Sequence, residues 1–239
     1  MPLMPLDIAW VREELPERTI EYYPTIDSTM HAAAMLPCGS VVLADEQTAG
    51  LGRHGPSWHS EPGTGIYCSI VLDPSPVPTL ALGLATAEAI TRSTGIACDL
   101  RWPNDVMLDG RKVAGILVQL VDDKVIAGIG INVNHSALPA ELEATSLRLH
   151  AGREISREEI VIALLRAVPA FLSEDTETIL RLFTHASSYA AGRRVVVHQP
   201  DGIVEGVTAG LNAAGFLIVR KDDGTDTLIL AGGVRAAGS

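Results

Sequence analysis

The sequence predicts an α/β (α+β) chain: a mixed, largely antiparallel sheet carrying helices, followed by a small all-β domain. Three observations predict it. Alanine- and leucine-rich segments, above all Leu80–Thr94, lie between strand-like runs. Lys112–Val121 and Lys124–Val133 are joined only by Asp122-Asp123, which makes a hairpin and so an antiparallel pair. Beyond about Ala190, short strands alternate with the turn signals Pro200-Asp-Gly202, Asn212 to Gly215 and Asp222-Asp-Gly224, the pattern of a small barrel or sandwich.

In chain order, Leu6 to Leu15 reads as a short helix stopped by Pro16, and Thr19–Tyr23 alternates as a strand. Asp27 or Ser28 caps a helix through Met30 and Ala32–Leu36, closed by Pro37 and Gly39. Val41–Ala44 and Ile66–Leu72 are strands flanking a glycine-rich loop, and Leu80–Thr94 is a buried helix with Gly95 as its terminal cap. Ala97–Trp102 precedes the hairpin. Ile155-Ser-Arg-Glu-Glu-Ile160 combines a capping box with a hydrophobic staple and opens a helix whose apolar positions are Ile160, Leu164, Val168 and Phe171. Pro169 is expected to kink it, and a second helix runs through Ile179 to Phe183. The C-terminal strands are Arg193–His198, Ile203–Ala209, Phe216–Arg220 and Thr227–Leu230, with a domain boundary near 187–190.

Composition narrows the function. With 47% hydrophobic residues, the 239-residue chain can bury a substantial core. A net charge of −11 without a Lys/Arg run argues against nucleic acid as a partner. No run approaches the roughly 20 apolar residues of a membrane helix, and Met1 to Asp7 does not read as a signal peptide. The three scattered cysteines, Cys38, Cys68 and Cys98, suit reduced thiols and a cytoplasmic location. The seven histidines form no zinc-binding pair on one helix face, and His54 and His59 are separated by a proline. There is no Gly-x-Ser-x-Gly elbow.

The most informative stretch runs from Asp45 to Trp58. Gly50, Gly52 and Gly55 let backbone N–H groups approach a ligand closely, and Arg53 and His54 add basic side chains, a combination suited to an anion. The spacing also matches a dinucleotide fingerprint, but its context does not. Val41–Ala44 ends too early, and Pro56, Pro62, Gly63 and Gly65 preclude a phosphate-capping helix. No Gly-Lys-Ser/Thr follows, so it is not a P-loop.

Four segments stand out together: Ile26-Asp-Ser-Thr-Met30, the glycine loop, Arg101-Trp-Pro-Asn-Asp105 with Gly110-Arg-Lys-Val-Ala-Gly115, and Gly128-Ile-Gly-Ile-Asn-Val-Asn134. In this order and spacing they resemble the biotin–protein ligases, over nearly the whole chain from about Ile20. The resemblance implies a class II synthetase/biotin ligase-like domain over residues 1–188 and an SH3-like barrel over 189–239. It implies two steps: biotin and MgATP give biotinyl-5′-AMP, and a lysine of a biotin carboxyl carrier domain of acetyl-CoA carboxylase or a related carboxylase attacks it. ATP and Mg²⁺ are the implied cofactors and biotin the substrate.

Residue by residue, the resemblance places Lys112 beside the biotin carboxylate and α-phosphate, with Arg53 on phosphate oxygens. Ser28, Thr29 and Gln47 would hydrogen-bond biotin, and Gly50, Leu51 and Gly52 would line it. Trp58 would wall the pocket. Gly115, Gly128 and Gly130 would let a flat bicyclic ligand lie against the sheet. Asn104, Asp105 and Asn132 would face ATP, with Asp105 as a Mg²⁺ ligand.

Four positions depart from the family pattern. Leu51 stands where an arginine is usual, Met30 where an asparagine follows Ser-Thr, Arg101 where a lysine precedes the tryptophan, and Pro56 where a further basic residue is common. About 25 residues precede Ser28, so the ligase without a winged-helix DNA-binding domain is expected. Family members occur as monomers and as homodimers built by edge-strand pairing, and Val125–Val133 offers such an edge. Two alternatives remain open: a lipoate or octanoate ligase or transferase of the same fold, and a non-catalytic protein that binds biotin or biotinyl-AMP.

Overall fold

The structure, a computed structural model, describes residues 4–53, 58–199 and 202–237. His54, Gly55, Pro56, Ser57, Pro200 and Asp201 therefore lie outside the described residues.

A seven-stranded sheet forms the centre. Its strands are β1 (Ile20–Tyr23), β2 (Val41–Ala44), β3 (Gly65–Leu72), β4 (Asp99–Arg101), β5 (Asp105–Leu108), β6 (Arg111–Val121) and β7 (Lys124–Asn132), in the order β1-β2-β3-β7-β6-β5-β4. Only β1 and β2 pair in parallel, so the sheet is mixed and largely antiparallel, as the sequence predicts. The β6–β7 hairpin forms with Val121 opposite Lys124. It does not lie at an edge: β7 is clasped by β3 and β6, so Val125–Val133 is no free dimerisation edge, and the edges are β1 and β4.

Alternation along each strand sorts the two faces. Val41 and Leu43 of β2, Ile66, Cys68 and Ile70 of β3, Ala114 and Ile116 of β6, and Ala127, Ile129 and Ile131 of β7 join the main core. Helices α3 (Pro78–Thr94) and α5 (Arg157–Leu172) contribute Leu82, Ala85, Ala89, Ile160, Leu164 and Val168 to that core. The opposite face carries a smaller cluster of Val42, Val71 and Ile126, with Met30 and Ala33 supplied by α2 (Thr29–Ala34). The intervening residues of β6 and β7 on that face are Gly115, Gly128 and Gly130, so the second face is part apolar cluster and part bare backbone.

Local signals account for the helix ends. Ser28 caps α2, and Gly95 ends α3 in the left-handed conformation at φ 76°. Ser156 Oγ accepts from the Glu159 N–H at 3.2 Å, while Ile155 and Ile160 are both buried. Helix α5 runs on through Pro169 to Leu172. Proline lacks the N–H that would serve the Leu165 carbonyl, and Arg18 Nη2 donates to that oxygen at 3.1 Å instead. Helix α1 (Ile8–Glu14) lies at the N-terminus, a short α4 (Leu147–Ala151) precedes α5, and α6 (Thr176–Ala186) follows it. Asp45 and Arg157 form a buried ion pair at 2.6 Å that also binds the Leu6 N–H, the Met4 carbonyl and the Tyr22 hydroxyl.

The C-terminal strands β8 (Ala191–Gln199), β9 (Gly202–Leu211), β10 (Leu217–Arg220), β11 (Asp226–Ile229) and β12 (Gly233–Ala236) form an all-antiparallel sheet in the order β11-β10-β9-β8-β12. The late strand β12 returns to pair with β8. Val195, Val197, Leu217, Val219 and Ile229 are buried and continuous with the main core. Trp102 Nε1 donates to the Gly215 carbonyl at 2.9 Å and Ser187 Oγ to the Leu100 carbonyl at 2.6 Å, tying this sheet to the β4 region. Among the described residues, no helix is long and apolar enough to cross a membrane.

Candidate active site

The floor of the site is sheet backbone. Gly115 of β6 lies directly opposite Gly130 of β7, and Leu117 opposite Gly128. A Cβ on Gly130 would sit 2.4 Å from Trp58 Cε2, and one on Gly115 would sit 2.7 Å from Lys112 Cε and 2.9 Å from Trp58 Cζ3. Only glycine allows those side chains to rest on the strands. A Cβ on Gly128 would meet Met30 Sδ at 2.7 Å.

The walls come from the start of α2 and from the glycine loop. Ser28 Oγ accepts from the Met30 N–H at 3.3 Å, and both residues are buried. Gln47 Oε1 accepts from the Thr29 N–H at 2.9 Å and from Thr29 Oγ1 at 3.0 Å, and Thr29 Oγ1 also meets Ser69 Oγ at 2.8 Å. Gly50 stands behind this wall, where a Cβ would fall 2.9 Å from Gln47 Nε2. Its carbonyl accepts from the Trp58 N–H at 2.9 Å, which closes the base of the glycine loop. Leu51 packs against the cluster that holds Met30, so two of the four departures from the family pattern lie on one apolar wall. Ser28, Thr29, Gln47, Leu51, Gly52, Arg53, Trp58, Lys112, Gly115, Gly128 and Gly130 line one pocket.

The charged end is built by the turn between β4 and β5. Lys112 is fixed through its backbone on both sides: it lies opposite Met107 of β5, and its N–H donates to the Glu143 carbonyl at 3.1 Å. Its Nζ stands 2.6 Å from Asp105 Oδ1 and 5.4 Å from the centre of the Trp58 ring. Arg101 Nη2 and Nε meet Asp105 Oδ2 at 2.7 and 3.1 Å. Burial would raise the Asp105 pKa, but Lys112 and Arg101 together outweigh it, and the net shift is downward. Arg53 donates to Asn104 Oδ1 at 3.1 Å and to the Gly232 carbonyl at 2.6 Å, linking the glycine loop to the C-terminal sheet. Burial lowers the Arg53 pKa and Asp105 opposes that shift, yet a guanidinium stays charged at neutral pH.

Asp105, expected as a Mg²⁺ ligand, has each of its oxygens paired with a cation here, Oδ1 with Lys112 and Oδ2 with Arg101.

The pocket opens into a wider cleft lined by Gly52, Arg53, Asn104, Asp105, Lys112 and Asn132, with Trp102, Glu141 to Ala144 and Gly232 to Arg235 across from them. Asn132 is turned toward this side, donating to the Thr145 carbonyl at 3.1 Å. Room for water-sized occupants is about 340 Å³ in the cleft but only about 40 Å³ in the pocket. At ~10–15 Å³ for each water, the pocket as it stands holds a few waters. The indole of Trp58 lies across Gly115 and Gly130, and its buried Nε1 has no hydrogen-bond partner among the described residues.

Sequence reasoning missed several contributors. Tyr67, which lines the pocket, and Ser69, which meets Thr29 Oγ1, come from the middle of β3, and the Gly232 carbonyl and Arg235 come from the far end of the chain. No local pattern marks them. Ser69 is detectable only once β3 is known to pair with the glycine strand β7, where it faces Gly128.

A family profile described as the Biotin/lipoate A/B protein ligase family matches residues 22–136, and one described as Biotin protein ligase C terminal domain matches 191–234. The chain is 30% identical to the bifunctional ligase/repressor BirA of Bacillus subtilis over 238 residues, covering 90% of this chain and 73% of the relative. It is 31% identical to the biotin–[acetyl-CoA-carboxylase] ligase of Mycobacterium tuberculosis over 208 residues, covering 82% and 77%. The solved biotin protein ligase of Aquifex aeolicus, in complex with biotin and ATP, superimposes with a TM-score of 0.83 at 30% identity, covering 92% of this chain and 99% of that one. A glycine-floored pocket opening on Lys112 and Arg53, two matching family domains and likeness over most of the chain at this level of identity together make the chain a member of the biotin protein ligase family.

Proposed function

We propose that this protein activates biotin with ATP to biotinyl-5′-AMP and transfers biotin to a lysine of a biotin carboxyl carrier domain of acetyl-CoA carboxylase or a related carboxylase. The observation that carries this reading is the junction of two environments at Lys112. On one side lies a flat floor of Gly115 and Gly130 with amide and hydroxyl groups on its wall. On the other lies an open cleft bearing Arg53, Arg101 and Asn104. A bicyclic ligand with a carboxylate tail fits the first environment, and a nucleoside triphosphate fits the second.

The chemistry follows from that junction. A carboxylate is a poor electrophile and must become a mixed anhydride before an amine can attack it. A carboxylate oxygen bonds to the α-phosphorus, the bond to the bridging oxygen breaks, and pyrophosphate leaves with the electron pair. Negative charge on the α-phosphate is stabilised by the Lys112 ammonium and the Arg53 guanidinium, both held before the reaction begins. The acceptor lysine then attacks the acyl carbon, loses a proton and expels AMP. Mg²⁺ accompanies the nucleotide, where a hard cation is held largely by phosphate oxygens and water. Residues 1–188 act as the catalytic unit, and residues 189–239 form a small barrel that closes the nucleotide side through the Arg53–Gly232 contact. The protein works in the cytoplasm as a monomer or homodimer, and its net charge of −11 supports a protein partner over nucleic acid.

The test is pyrophosphate release with MgATP and one of biotin, lipoate or octanoate, followed by mass analysis of a carrier domain. Release with biotin alone and a biotinylated carrier lysine are expected. Release with lipoate or octanoate in its place identifies a lipoate or octanoate ligase, and biotin binding without release identifies a binding protein.

A further inference from the structure

Beside the active site, three side chains distant in sequence converge. Donor atoms of His59, Glu61 and His135 lie within 4.8 Å of one another. His59 and Glu61 follow the glycine loop and are exposed, whereas His135 lies three residues beyond β7 and is fully buried. None of the three lines the pocket that would hold biotin, while His59 borders the wider cleft.

The hydrogen bonds around His135 fix its tautomer. Thr64 Oγ1 donates its only proton to the Glu61 carbonyl at 2.8 Å, so at the 2.8 Å contact with His135 Nε2 it must accept. The proton of the imidazole is therefore on Nε2, and Nδ1 presents a bare lone pair. That Nδ1 is buried and has no hydrogen-bond partner among the described residues. An unpaired buried polar atom is costly and calls for an occupant. A neutral imidazole whose other nitrogen donates to a fixed oxygen is the arrangement of a metal-binding histidine.

We propose that His59, Glu61 and His135 form a site for one divalent transition-metal ion of the Zn²⁺ class. Two imidazoles and one carboxylate suit such an ion, with a fourth position open to water. Tetrahedral Zn²⁺ with bonds of about 2.0–2.1 Å needs ligand atoms ~3.3 Å apart. His59 and Glu61 are exposed and free to close that gap by side-chain rotation, while His135 is held by Thr64. The Glu61 backbone is itself anchored, because its carbonyl also accepts from the Tyr67 hydroxyl at 3.0 Å. A bound ion would clamp the exit of the glycine loop to the end of β7, and with His59 it would restrain the adjacent Trp58.

The experiment uses the full chain stripped with a chelator. Zn²⁺ is titrated in competition with a chromophoric chelator, and Co²⁺ is followed by visible absorption. One equivalent of each metal is expected, with Co²⁺ giving d–d bands of a four- or five-coordinate nitrogen–oxygen site. His59→Ala and Glu61→Gln, both at exposed positions, should each weaken binding at least tenfold while leaving the thermal midpoint of the metal-free protein within a few degrees. Absence of binding by the wild type would overturn the proposal. So would equal affinity in the His59→Ala/Glu61→Gln double variant, since the metal would then reside on other histidines.

Discussion

Lys112 Nζ stands 2.6 Å from Asp105 Oδ1, and Arg101 holds the other oxygen of the same carboxylate at 2.7 Å. One largely buried carboxylate, its side chain 14% exposed, thereby pairs with two cations at the mouth of the cleft. Lys112 is neither a solvated lysine nor a free charge awaiting phosphate; Asp105 aims it.

Replacing that anion leaves two cations without their partner. Breaking a largely buried charge network typically costs about 3–5 kcal/mol, so Asp105→Asn should lower urea-unfolding stability on the order of 3 kcal/mol. It should also slow adenylation, because Lys112 loses its fixed geometry. Unchanged stability together with an unchanged rate would show that Lys112 is placed by its backbone contacts alone.

The glycine floor makes a sharper prediction. In Gly130→Ala the new methyl would fall 2.4 Å from Trp58 Cε2, and it would project from the surface on which the bicyclic ligand is to lie. Trp58 belongs to a loop and can yield, so the fold should survive with a thermal midpoint within a few degrees. Biotin affinity, measured by calorimetry, should fall at least tenfold. Wild-type affinity would mean that biotin does not rest on this strand.

Trp58 must leave its place for the ligand to bind, since the pocket otherwise has room for only about 40 Å³. Its indole then exchanges a buried, unpartnered Nε1 for a new environment. Biotin should therefore change the intrinsic fluorescence of the protein, and the change should vanish in Trp58→Phe. The same change persisting in Trp58→Phe would assign it to Trp10 or Trp102.

The fold was legible wherever structure is local, and not where it depends on distant pairing. Ser156 before Glu159, Gly95 after a helical run and the Asp122-Asp123 turn each act within a few residues, and each forms as the sequence predicts. Val125–Val133 reads as an edge strand because nothing local reveals that β3, over fifty residues earlier in the chain, pairs along its whole length. The short strands β5 and β12 were unread for a related reason: Asp105–Leu108 and Gly233–Ala236 are four residues each, too brief to show a period. At the site, motif order identified which residues to consider, and the structure brings most of them to one pocket. It could not show that the Asp105 oxygens are already occupied, or that Leu51 and Met30 meet on one apolar wall. The convergence of His59 with His135 is invisible to any spacing rule, because 76 residues separate them.

His135 also sets a pH dependence. Its folded pKa of about 4 lies below the ordinary value of 6.5. Between those values the unfolded chain takes up a proton that the folded chain refuses, so stability is full above pH 6.5 and falls as the pH drops toward 4. The loss amounts to about 3 kcal/mol at most. Urea unfolding at pH 7 and pH 5 in the presence of a chelator should show this decline, and His135→Gln should flatten it. A decline of equal size in His135→Gln would assign it to other groups.

The central claim is that Lys112 stabilises charge on the α-phosphate while a biotin carboxylate attacks it. Single-turnover formation of biotinyl-5′-AMP from labelled biotin and MgATP, compared between the wild type and Lys112→Ala, tests it most directly. Losing one preorganised charge at a reacting centre typically costs on the order of 10²–10³ in rate. The account predicts a drop of that size in Lys112→Ala with the fold intact by circular dichroism. Adenylate formation by Lys112→Ala at near the wild-type rate would contradict it.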